Sequence, residues 1–300
     1  MMTYDQYLYQ MKLEKRYVTD QLDGRHIVVE LRPNIDEIYP IFCNFFDKGE
    51  GNIVCSIFCE RIVKRLGRSV IYRLDSAFFD SINMEKEYWE IASYIKYTIG
   101  GFVIADLRGG DKGKSIINIK KILDYKSPFK AIILPPYFKY KDFKIIMDLA
   151  KKNNKAIFLP LKKHSFFSPE GKLSTPRMIR KCGKYTRKYF PPLNRRSEYN
   201  LIGAIVNIGY KERYVKRLRK RLPNTVFLVE GYETERTKNN NILRYFSNGN
   251  FGKGIIVETY CTIMDAYKSN MWKKEYLPEE FVEAVQAEYE RIKSEISSQF

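Results

Sequence analysis

Short apolar runs rich in β-branched residues recur along the chain: HIVVEL (26–31), SVIYRL (69–74), FVIAD (102–106), AIILP (131–135), AIFLPL (156–161), LIGAIV (201–206), TVFLV (225–229) and GIIVE (254–258). Between them the apolar positions change to a helical periodicity, as in Ile53, Ile57, Ile62 and Leu66, in Ile116, Ile119 and Leu123, and in Tyr214, Val215 and Leu218. The first pattern lacks polar alternation, so each strand is buried on both faces, the condition of a parallel sheet covered by helices. Eight such units in 300 residues predict an α/β fold of one domain, a (β/α)8 TIM barrel over residues 1–300, with an open doubly wound sheet as the alternative.

Outside these units, residues 1–20 predict a lead-in helix, and 278–297 predict a closing helix with Pro278 near its start. Segment 163–200 is the least regular, interrupted by Pro169, Pro176, Pro191 and Pro192 and densely basic. Loops after barrel strands open onto the functional face, so this segment predicts a lid or a binding arm.

Charge sharpens that expectation. The net charge is +18, yet Lys112–Arg221 holds 30 Lys or Arg against 6 Asp or Glu, which leaves the rest of the chain net acidic by 6. Such asymmetry suits a polyanion, whether nucleic acid, an anionic assembly surface or a phosphorylated ligand, although a general lysine bias supplies part of it. Two stretches, YFKYKDFK (137–144) and RKCGKYTRKYFPPLNRR (180–196), interleave basic and aromatic side chains. There Arg187, Lys188, Arg195 and Arg196 would neutralise phosphates while Tyr185 and Tyr189 offer stacking faces, the combination that binds single-stranded RNA or DNA. A basic helix with aromatic residues on its inner face gives the same string. YKERYVKRLRKRL (210–222) reads as a barrel helix with a solvated basic outer face, which would also dock onto a ribonucleoprotein or viral assembly.

At 44% hydrophobic the chain can bury an ordinary core. No apolar run reaches the roughly 18–20 residues of a membrane span, and the first residues lack an apolar signal core, so a cytoplasmic address without membrane contact is expected. The five cysteines, Cys43, Cys55, Cys59, Cys182 and Cys261, form no C-x-x-C pair and read as free thiols. Cys55 and Cys59 lie four apart in a helical pattern, but His26 and His164 are remote in sequence, so they read as small buried side chains rather than metal ligands. Neither a metal nor a cofactor is called for.

Candidate chemistry concentrates in FVIADLRGGDKG (102–113), at the C-terminal end of the third strand, where barrels keep their active sites. Asp106 and Arg108 would both point into the mouth, with Asp111 on the loop beyond. This spacing resembles the Asp-x-Lys-x-x-Asp motif of the orotidine 5'-phosphate decarboxylase family, and the chain is similar to its longer bacterial branch over nearly its whole length. IYRLDSAFFDS, LPPYF, IGAIVNIG and FLVEGYETERT resemble further strand ends and loops of that family, in order.

The resemblance implies a barrel, a carboxy-lyase activity, a homodimer through the mouth faces and a charged array in which a lysine protonates the product carbanion. Residue by residue, much of that array has changed. The motif lysine falls on Arg108, whose pKa above about 12 makes it a poor proton donor. A second lysine falls on Arg73, and the ribose-binding aspartate on Arg32. Asp106 and Asp111 match. The glycine-rich phosphate loop has become 230–237, where Glu230, Glu233 and Glu235 would repel a phosphate dianion. The family's arginine after the eighth strand falls on Cys261, and its pyrimidine-contacting residues fall on Lys162, Lys163 and His164.

Three readings follow. In the first, a catalytically inactive barrel serves as a basic binding or structural component, with Arg32, Arg73, Arg108, Asp106 and Asp111 joined in a salt-bridge cluster that plugs the mouth. In the second, a divergent enzyme uses the three arginines on another anion, a nucleotide or sugar phosphate, with His164 as acid or base. In the third, orotidine 5'-phosphate decarboxylation survives through groups that have migrated.

Overall fold

A computed structural model describes residues 26–43, 45–109, 115–135, 140–161, 201–232, 242–247 and 253–300. The expected lead-in helix, the whole basic segment 163–200 and the loop carrying Asp111 lie outside the described residues. Eight parallel strands close into one barrel in sequence order: β1 (Ile27–Glu30), β2 (Ile71–Asp75), β3 (Phe102–Asp106), β4 (Ala131–Ile133), β5 (Ala156–Pro160), β6 (Ile202–Asn207), β7 (Phe227–Glu230) and β8 (Ile255–Glu258). Closure is made by β1 against β8, with Ile27 beside Val257 and Val28 beside Glu258. Each strand falls on one of the eight apolar runs, so the barrel and not the open sheet is the architecture.

The helices among the described residues are α1 (Ile35–Phe42), α2 (Gly51–Leu66), α3 (Ser76–Ser81), α4 (Glu85–Ser93), α5 (Ile116–Leu123), α6 (Tyr140–Lys152), α7 (Glu212–Arg221), α8 (Leu243–Phe246) and α9 (Phe281–Ser297). Two capped starts place the barrel-mouth loops. Asn34 accepts from the Asp36 amide ahead of α1, and Asp75 accepts from the amides of Ala77 and Phe78 ahead of α3. The closing helix α9 follows a short 3-10 turn at Pro278–Glu280, a proline start as expected from the sequence.

Two apolar layers hold the fold. Inside the barrel, Val28, Ile71, Phe102, Ile104, Ile133, Phe158, Ile205, Leu228 and Ile256 pack as one cluster. Outside it, the alternate strand residues meet the helices in a larger cluster. The lumen has room for Phe158 only because its neighbour on β6 is Gly203, where a Cβ would overlap the phenyl ring.

The structure shifts three sequence expectations. On α2 the buried stripe is Val54, Cys55, Phe58, Cys59, Ile62, Val63 and Leu66; Ile62 and Leu66 lie on it as read and Ile57 packs at its edge, while Ile53 is exposed, so the stripe at the helix start is carried by Val54 and not by Ile53. Burial pushes the Cys55 thiol up to about 11 and Cys59 higher than its ordinary value, as inert core thiols should be. On α7 the charges are not all solvated. Arg219 is buried, lies over the Phe227 ring and donates to the carbonyls of Phe246, Thr225 and Leu222, tying α7 to α8 and to the loop before β7. Lys155 is likewise buried and donates to the carbonyls of Ser127 and Phe129, so part of the basic excess is structural.

A candidate active-site mouth filled with ion pairs

Side chains alternate along a strand, so a residue two places beyond a lumen-facing one also faces the lumen, one layer nearer the mouth. Val28 therefore leads to Glu30, Ile71 to Arg73, Ile104 to Asp106, Leu228 to Glu230 and Ile256 to Glu258. One arginine and four acids thus share the layer above the apolar lumen.

Arg73 sits at the centre of this layer. Its Nε donates to Asp106 Oδ2 at 2.9 Å, and its Nη2 lies 2.6 Å from the same oxygen and 3.7 Å from Glu30 Oε1. Its Nη1 pairs with Glu258 and lies 3.9 Å from Glu230 Oε1. Arg108, just past the end of β3, folds back over the same acid. Its amide donates to Asp106 Oδ1 at 2.9 Å, its Nη2 to Oδ2 at 2.7 Å and its Nη1 to Glu230 Oε1 at 2.6 Å. The turn that returns it needs a glycine, because a Cβ on Gly109 would come within 2.6 Å of Ala77 Cβ on α3.

Electrostatics follow from this packing. Burial alone would raise the Asp106 carboxyl, but Arg73 and Arg108 outweigh it and hold the group below its ordinary value. Burial would lower the Arg108 guanidinium, yet Asp106 and Glu230 keep it above its ordinary value and permanently charged. Glu30 is the outlier. It is fully buried, neither carboxylate oxygen accepts a hydrogen bond among the described residues, and burial raises its pKa against the opposing pull of Arg73 and Arg32. Two guanidinium groups here meet four carboxylates, so a protonated Glu30 removes one surplus negative charge.

The structure brings together Arg73, Asp106 and Arg108 as the sequence suggested, but Arg32 does not join them. Its Nη1 lies 3.4 Å from the Tyr260 hydroxyl, and its guanidinium sits 5.0 Å from the centre of the Phe78 ring, a cation–π contact at the rim. Cys261 is half-buried against the outer core. Asp111, Lys162, Lys163, His164 and Glu235 lie outside the described residues, as do Arg187, Lys188, Arg195, Arg196, Tyr185 and Tyr189. Sequence reasoning missed Glu30 and Glu258 altogether. It also read Glu230 only as a repellent of phosphate, whereas the residue is a partner of both arginines.

No family model matches the chain. Among curated proteins, it is 27% identical over 268 residues to the orotidine 5'-phosphate decarboxylase of Clostridium botulinum (strain Kyoto / Type A2), covering 86% of this chain and 90% of that one. The enzyme of the same name from Clostridium kluyveri is 24% identical over 211 residues, 68% of this chain and 70% of that one. The chain is orotidine 5'-phosphate decarboxylase-like. Solved structures agree on the fold: the decarboxylase of Plasmodium berghei superposes with a TM-score of 0.66 over 97% of this chain and 99% of that one, at 14% identity. That of Leishmania donovani gives 0.57 over 92% and 96%, at 15% identity. Within this frame, Arg73 and Arg108 each have carboxylates from other strands already bound.

Proposed function

We propose that this decarboxylase-like barrel does not decarboxylate orotidine 5'-phosphate and acts instead as a basic binding or structural component. One observation carries the reading: both arginines at the motif-lysine positions are neutralised by Asp106, Glu230 and Glu258 within the barrel. A substrate carboxylate or phosphate entering the mouth would have to displace those partners. It would then face unpaired buried acids, at a cost of several kcal/mol. Nor does either guanidinium suit the proton transfer that completes decarboxylation, since a group so basic holds its proton too tightly. Binding energy at a remote phosphate drives this class of reaction, and the acids of 230–237 oppose that grip.

The binding role rests on the excess of 24 positive charges between Lys112 and Arg221, which suits nucleic acid or a large anionic assembly. The homodimer implied by the resemblance belongs to the same proposal. Calorimetric titration with uridine monophosphate, the product nucleotide, tests the closed mouth. The wild type and Arg108→Lys should both give no heat of binding. Tight binding by the wild type would favour the divergent-enzyme reading and reopen the search for its substrate.

A further inference from the structure

Helix α7 carries five exposed basic side chains besides Lys216: Lys211 just before its start, then Arg213, Arg217, Lys220 and Arg221. Arg213, Arg217 and Lys220 follow one another at intervals of four and three residues, so they form a row with one cation per turn, about 5.4 Å apart along the axis. The opposite face, Val215 and Leu218, is buried in the core, and buried Arg219 anchors the helix through the carbonyls of Thr225 in the following loop and Phe246 on α8. The row is therefore presented on a fixed support. Neighbouring α8 extends it. Exposed Arg244 lies 4.7 Å from the Tyr245 ring centre, and Lys216 approaches the same ring at 4.4 Å, so the aromatic holds two further cations in place. Glu212, ion-paired with Lys216, is the one acid on the α7 segment.

We propose that this face of α7 and α8 is a docking surface for the sugar-phosphate backbone of a nucleic acid, recognised by charge alone. The inference rests on the polyanion reading of the basic half and assigns it a surface. Arginine forks match phosphate oxygens bidentately. Because both cations already lie over Tyr245, the face offers no free ring for base stacking, so single strands and duplexes should bind it alike. An anionic bilayer is a poorer fit, since none of the exposed large hydrophobic residues lies on α7 or α8 to insert between lipids. An acidic protein would need its carboxylates in register with the row, whereas a nucleic acid supplies an anion at every residue whatever its sequence.

Fluorescence anisotropy with a labelled RNA strand and a DNA duplex, each of about twenty nucleotides, tests the surface between about 50 and 200 mM salt. The wild type should bind both probes with an affinity that falls steeply with salt. The triple variant Arg213→Glu, Arg217→Glu, Lys220→Glu should lose roughly tenfold or more in affinity at the lower salt and flatten the slope of log K on log salt by about 2 to 3. Circular dichroism should show the variant folded, because all three side chains are exposed. Unchanged binding in the triple variant, with loss on reversing Arg187, Lys188, Arg195 and Arg196, would overturn this surface and leave the polyanion reading standing. Absence of nucleic-acid binding at low salt would overturn both. Stronger binding to phosphatidylserine vesicles or to polyglutamate than to either probe would overturn the assigned occupant.

Discussion

Arg73 and Asp106 meet across neighbouring strands at the barrel mouth, with Nε at 2.9 Å and Nη2 at 2.6 Å from one carboxylate oxygen. Both side chains are more than nine-tenths buried, so neither has water to fall back on. Removing the cation strands buried Glu258, takes the nearby charge from Glu30 and leaves Asp106 with Arg108 alone. Arg73→Met should destabilise the protein by about 3–5 kcal/mol, read from urea unfolding. Asp106→Asn should cost less, because Arg73 keeps Glu258. A loss below about 1 kcal/mol for Arg73→Met would mean that the cluster is not a structural plug.

Glu30 gives the cluster a pH signature. Its carboxyl is raised in the folded state, so the native protein holds a proton that the unfolded chain releases. Stability from this residue is therefore lost as pH rises above the ordinary glutamate value of 4.5 toward the raised one. Asp106 runs the other way: its depressed carboxyl contributes stability above the ordinary value of 3.8, lost as pH falls through the depressed one. Glu30→Gln should raise the unfolding free energy, read from urea unfolding, at about pH 8 more than at about pH 5, by on the order of 1 kcal/mol for each unit by which the pKa is raised. Equal shifts at the two pH values would show that Glu30 is ionised in the fold.

The barrel was legible because continuous apolar strands and helical periodicity are local patterns, and the strand pattern recurs eight times with helical segments between, an order that only a few architectures satisfy. The mouth was half legible. Asp106 and Arg108 are neighbours in sequence, and Arg73 follows from the resemblance. Their partners are not neighbours, yet a signal exists: a Val-Glu pair closes three of the strands, at Glu30, Glu230 and Glu258. A glutamate ending a run that is otherwise buried on both faces must either face the mouth or find a cation, and three in the same phase imply a shared one. Arg32 misled for the opposite reason. It lies two beyond Glu30 but past the end of β1, where the strand's alternation no longer fixes where a side chain points.

Gly203 offers a test of lumen packing that is independent of charge. A methyl group there overlaps the Phe158 ring on the adjacent strand, and the ring is enclosed by the rest of the lumen cluster. Gly203→Ala should destabilise by about 1–3 kcal/mol, and the double variant with Phe158→Leu should recover part of that loss. Additive losses in the double-mutant cycle would show that the two sites do not compete for the same space.

The basic arm makes a separate prediction from sequence. If residues 180–196 bind single strands by stacking as well as by charge, replacing Tyr185 and Tyr189 with Ala should weaken single-strand binding by roughly 1–3 kcal/mol per ring and spare duplex binding. Reversing Arg187, Lys188, Arg195 and Arg196 should weaken both and flatten the salt dependence. Equal losses on single strand and duplex from the tyrosine variants would assign those rings to packing.

In the proposed reading the arginines of the mouth are partners of carboxylates and not reagents. Its most direct test is the rate at which the purified wild type consumes orotidine 5'-phosphate, followed by ultraviolet absorbance at enzyme concentrations high enough to register a single turnover. The account predicts no loss of substrate above the uncatalysed background, for the wild type and equally for Arg108→Lys, since restoring one lysine leaves Arg73 and its acids in place. Measurable turnover by either protein would contradict it.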